Sequence, residues 1–88
     1  MKRKLPLVIL EWHDAVTEGG WVSSKDYEPK TVLVTSVGWL LSETDHHISI
    51  IGSYNSEKDF SDITTVPKQW LIKQKILRGN KLVIEGVL

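Results

Sequence analysis

Apolar positions in this chain fall in short runs and alternations of two, separated by polar stretches rich in glycine, proline, serine and aspartate. Spacing by two is the mark of a strand, whose successive side chains take opposite faces. Leu5-Pro-Leu-Val-Ile-Leu-Glu-Trp12 is short, β-branched and apolar, with Pro6 near its start, where a strand tolerates a missing N–H. Residues 13–30 are polar and broken by Gly19, Gly20, Ser23, Ser24 and Pro29, which predicts a long excursion. Within it, residues 23–28 have room for one helical turn before Pro29 stops it. Residues 31–41 are the strongest strand. Val32, Val34, Ser36, Gly38 and Leu40 share one face; Leu33, Thr35, Val37, Trp39 and Leu41 share the other. Both sets are largely apolar, so cover is expected on each side, and Gly38 predicts a bend or bulge.

Ser42-Glu-Thr-Asp-His46 is a turn, and residues 47–54 return as a second strand, completing a hairpin. A charged loop over 55–61 leads to a short strand at 62–66, ended by Pro67. Residues 67–78 read two ways. Pro67, the helix formers after it and Gly79-Asn80 behind it fit a helix. Ile72, Gln74 and Ile76 alternating with Lys73 and Lys75 fit a turn followed by a strand, the preferred reading. Gly79-Asn80 then turns into residues 81–88, an apolar tail that is hazardous as an open edge. The expected fold is mostly β, a single domain over residues 1–88 with 79–88 as a tail strand. Five to six short strands, one bent at a glycine, suggest a small barrel of the SH3-like or Sm-like kind.

A domain of 88 residues hides only roughly 60–65% of its unfolded surface, so its core is marginal. Cysteine is absent, which excludes disulfides and thiolate metal sites and leaves self-association as the expected extra support. The apolar tail is the expected interface of such a homo-oligomer. Eleven basic residues balance eleven acidic ones, so no global field draws the chain onto nucleic acid or anionic lipid. Met-Lys-Arg-Lys opens like a signal peptide, but the apolar run after it is too short and contains Pro6. No stretch approaches the roughly 20 apolar residues of a membrane span, so a cytoplasmic location is expected.

Candidate chemistry is sparse. His13, Asp14, Glu43, Asp45, His46 and His47 include metal-binding residue types, yet adjacent histidines on a strand face opposite ways, and no metal ligand is assigned. No nucleophile elbow and no phosphate loop exist, so neither catalysis nor a cofactor is expected. Trp39 reads as core, and Trp70, after a proline turn, as a cap on one barrel end. Trp12 and Trp21 have two readings. They staple the excursion over the barrel, or one presents a ring on which a planar base stacks, worth about 1–3 kcal/mol. Lys68, Lys73, Lys75, Arg78 and Lys81 form the most anion-friendly region, plainly read as a solvated face. A groove between it and the tryptophan excursion suits a small nucleotide and suits duplex nucleic acid poorly, because few phosphates are neutralised at once. The candidate ligand-binding set is Trp12, His13, Asp14, Trp21, Lys73 and Lys75.

Glu11-Trp12-x-Asp14-Ala15, then Gly20-Trp21, Val37-Gly38-Trp39-Leu40-Leu41-x-Glu43 and Ile63-Thr64-Thr65-Val66-Pro67-Lys68 resemble small proteins of bacteriophages and prophages. The resemblance covers residues 8–77. That group has no settled activity, so the resemblance implies a phage-borne accessory protein in the host cell and lends no catalytic residue. Two functions are expected. One is capture of a small nucleotide signal of host defence, with tryptophan stacking the base and late basic residues pairing with phosphate. The other is a module that binds a host or phage protein through the tryptophan excursion or an exposed strand edge.

Overall fold

In the computed structural model, which describes residues 2–17 and 19–85, the alternating segments become five strands. They are β1 Lys2–Asp14, β2 Val32–Glu43, β3 His47–Tyr54, β4 Phe60–Pro67 and β5 Leu71–Glu85, with a 3-10 turn at Lys68–Trp70. All neighbours are antiparallel, in the order β4-β3-β2-β1-β5.

β2 serves two partners. Its residues 32–39 pair with 7–14 of β1, and 39–43 pair with 48–51 of β3. Gly38 sits where the partner changes. A Cβ there would lie 2.8 Å from the Ile51 carbonyl oxygen and 3.1 Å from the Ile50 Cβ. The glycine is required by this close approach, not by a left-handed φ. The register then slips between Leu40 and Ser42, a bulge that adds twist. Curling brings the end of β2 to β5: Lys68 Nζ and Gln74 Nε2 both donate to the Glu43 carboxylate.

Because the sheet curls, β3 has a core on each face, and residues 48–51 are buried without interruption. Ile48 and Ile50 meet Val8, Leu10 and Val66, with Trp12, Leu40 and Leu71 at the margin. On the other face Ile51 meets Leu5 and Ile84, ringed by Trp39, Leu41, Tyr54, Phe60 and Leu82. This second core needs a second distortion. Residues 2–6 of β1 leave β2 and pair only with 81–85 of β5. Between Leu77 and Lys81, Arg78, Gly79 and Asn80 have no partner on β1, and Gly79 takes a φ of 84°. Pro6 stands opposite this interruption and has no N–H to leave unpaired. Arg3 Nη2 donates to the Leu41 carbonyl at 2.8 Å and fastens the arm.

Several expectations change here. Among the described residues no ladder joins β4 to β5, so the sheet is open rather than a closed barrel: the arms cover two faces instead of meeting edge to edge. Gly79-Asn80 is not a hairpin turn, because β5 runs through it; the five strands among the described residues lie within the expected five to six. Within the tail, Ile84 is 1% exposed and belongs to the chain's own core, while Val83 is 48% exposed; the tail residues Gly86, Val87 and Leu88 lie outside the described residues. The second face of β2 is uncovered over its first half, with Leu33 58% and Val37 55% exposed. Residues 23–28 hold only a tight turn, closed by the Asp26 N–H on the Ser23 carbonyl at 3.0 Å. The expected turn-then-strand over 67–78 is present. The molecule is elongated, 58 × 25 × 21 Å, with a radius of gyration of 16.8 Å. A compact chain of this length has about 12 Å.

Gly38→Val is expected to lose about 1–3 kcal/mol, because the added carbons meet backbone on β3 that cannot retreat. Each kcal/mol lowers the melting temperature by about 4–8 °C in a domain this small. Gly19→Ala, with nothing within 4 Å of the new Cβ, is the matched control and should melt like wild type. Equal melting of the Gly38→Val protein would remove the bend as the constraint on β2.

Hydrogen bonds from Lys68 and Gln74 hold the Glu43 carboxyl below the ordinary glutamate range. A depressed carboxyl stabilises the fold above its unfolded pKa, and that stability is lost as pH falls through the folded pKa. The pair is about one-third exposed, so its contribution is at most about 1 kcal/mol. Urea titrations should find Glu43→Gln slightly less stable than wild type at neutral pH and equal to it in acid. A gap that persists in acid would assign the effect to packing instead.

Candidate functional site

Successive residues at the end of β1 take opposite faces, and this separates the candidate set. Trp12 turns inward, packs against the Val8–Leu10 core and donates its indole N–H to Ser36 Oγ at 3.0 Å. It is a staple. His13 turns outward beside Leu33, and its Nδ1 shares a hydrogen bond with Thr31 Oγ1 at 2.9 Å. Asp14 Oδ1 accepts from the Ala15 N–H at 2.8 Å, shaping the entrance to the loop over residues 15–31. Together these two bonds hold the loop at both ends.

Lys73 and Lys75 stand opposite Glu11 and Ile9, exposed on the same outer face as His13. Trp12 lies across the sheet from them. Trp21 lies in the loop and is fully exposed. The groove expected between the tryptophans and the basic side is therefore not assembled from Trp12, Lys73 and Lys75, because the sheet itself stands between them.

What the structure does bring together is two residues of the candidate set, His13 and Asp14, with four that were not in it. Trp70, expected as a barrel cap, lines a hollow of about 290 Å³ with His13, Asp14, Ala15, Thr31 and Gln69. Pro67 starts the 3-10 turn and sets its third residue, Trp70, at the base of the loop. The signal was a proline followed three residues later by tryptophan, whose destination depends on the curl. A second hollow, about 520 Å³, lies within the loop and is lined by Val16, Gly20, Val22, Tyr27 and Glu28 among others. Trp21 is not part of that lining.

His46 lies in the β2–β3 turn and His47 opens β3, and Thr44 Oγ1 accepts from both backbone N–H groups at 3.2 Å. Both histidines are exposed. Among the described residues no three histidine, aspartate or glutamate side chains gather as a metal site would require. No helix among them is long and apolar enough to cross a membrane. No protein-family model, curated protein or solved structure matches the chain.

The two loop-side tryptophans should separate cleanly by melting. Trp12→Ala is expected to cost about 3 kcal/mol, the low end for a large buried ring, since Trp12 is only partly buried. Trp21→Ala should stay within about 0.5 kcal/mol of wild type. Comparable losses in both variants would mean that Trp21 packs against the fold.

Proposed function

We propose that this chain is a non-enzymatic binding module, a phage accessory protein of the kind it resembles, that captures a protein partner through the loop over residues 15–31. The observation that carries this reading is the complete exposure of Trp21. Tyr27, 59% exposed, is in the same loop, and Trp70, 41% exposed, stands at its base. Tryptophan and tyrosine anchor protein interfaces because large rigid rings bury much surface at small entropic cost. A stacking site holds its ligand between walls, and Trp21 has none beside it among the described residues. Such a ring suits insertion into a pocket on another protein.

The bent, shared β2 and the 3-10 turn between β4 and β5 support reading the sheet as an opened variant of the SH3-like or Sm-like barrel. Exposed Leu33 and Val37 on the outer face support a homo-oligomer better than the tail does. The place of action follows from the resemblance and is the host cytoplasm. A second reading, capture of a small nucleotide-like ligand, is favoured by the loop hollow, whose volume falls in the usual range for small-molecule sites and which Tyr27 supplies with a flat ring.

Native mass spectrometry of the protein purified from infected cells tests both readings. A bound protein is expected, lost in Trp21→Ala while melting is unchanged. A small retained mass that survives Trp21→Ala and disappears in Tyr27→Ala would replace the protein partner by a small ligand.

A further inference from the structure

We propose that the free edge of β5 takes up an acidic extended segment of another protein as a sixth strand, a contact separate from the loop and independent of it. β4 and β5 are the two edges of the sheet. β4 is short, ends at Pro67, and carries Asp62 at a φ of 56°, which breaks its extended line and leaves little straight edge. β5 has 15 residues, and 73–77 run in unbroken register along β1, so their outward N–H and C=O groups form a straight row that is unpaired among the described residues.

The side chains of this edge define what it accepts. β5 carries Lys73, Lys75, Arg78 and Lys81 against Glu85 alone, in a chain whose net charge is zero. All four basic side chains are exposed, and none has an ion-pair partner among the described residues. Glu85 already faces Lys2. Lysine on an edge strand blocks indiscriminate pairing. The same charges favour a strand bearing carboxylates, since opposite charges on adjacent strands attract and like charges repel. A second copy of β5 fits badly: antiparallel pairing centred on Gln74 would set Lys73 opposite Lys75. Ile76, half exposed, points to the other face from the two lysines. The partner therefore alternates acidic with apolar residues, acids beside Lys73 and Lys75 and an aliphatic residue beside Ile76.

Two synthetic peptides of equal length, one alternating glutamate with valine and one alternating lysine with valine, are titrated into the ¹⁵N-labelled full chain. The acidic peptide should shift amide signals of residues 71–77 and weaken with added salt. The lysine peptide should leave them in place. Lys73→Glu with Lys75→Glu should weaken the acidic peptide by about tenfold or more, the loss of two cross-strand charge pairs. The neutral variants Lys73→Gln and Lys75→Gln should fall between and melt like wild type because the side chains are exposed, whereas Lys73→Glu, which sets a carboxylate opposite Glu11, should melt slightly lower. Equal response to both peptides, or shifts confined to residues 15–31, would each overturn the proposal.

Discussion

The fold depends on one close approach, that of the Gly38 backbone to Ile50 and Ile51 of β3. At this point β2 stops pairing with β1 and starts pairing with β3. A side chain at residue 38 would hold the strands apart, and the sheet would have to run flat. A flat sheet of this size would leave both faces of β3 in water. With the bend in place, two clusters of aliphatic side chains close on opposite faces of one eight-residue strand. That arrangement extracts two small cores from a chain too short to fill one large one.

The same curl decides where function can lie. It draws β5, the 3-10 turn and the end of β2 together at Glu43, and it carries Trp70 to the base of the loop. The loop contributes no buried residue among the described ones and is held by bonds at His13–Thr31 and Asp14–Ala15. Scaffold and presentation are thus separate. Core side chains fix the sheet, and exposed rings at one end are available for a partner without cost to the fold.

Edge chemistry follows the same division of labour. β4 is interrupted at Asp62, and β5 is lined by lysines and an arginine that have no ion-pair partner among the described residues. Each device keeps an open sheet from adding copies of itself. The basic edge also narrows what can be added to it to strands of opposite charge.

Much of this architecture was legible in the order of residues. The period of two marked β2 and β3 as a hairpin, Gly38 marked the bend, and Pro67 with the Ile72–Gln74–Ile76 alternation marked a turn and then a strand. These are local properties, set by backbone sterics and by which face each side chain takes. The positions that misled the reading all turn on contacts between distant residues. Gly79-Asn80 looks like a turn in isolation, yet Pro6 across the ladder lets β5 continue through it. Leu33 and Val37 look like core, yet no described residue covers them. Trp12 and Trp21 look alike in sequence; one meets Ser36 and the Val8–Leu10 core, and the other meets solvent. Alternation assigns a residue to a face, but which face is covered depends on how the sheet curls. That curl is set by packing among residues up to 79 positions apart, as with Leu5 and Ile84.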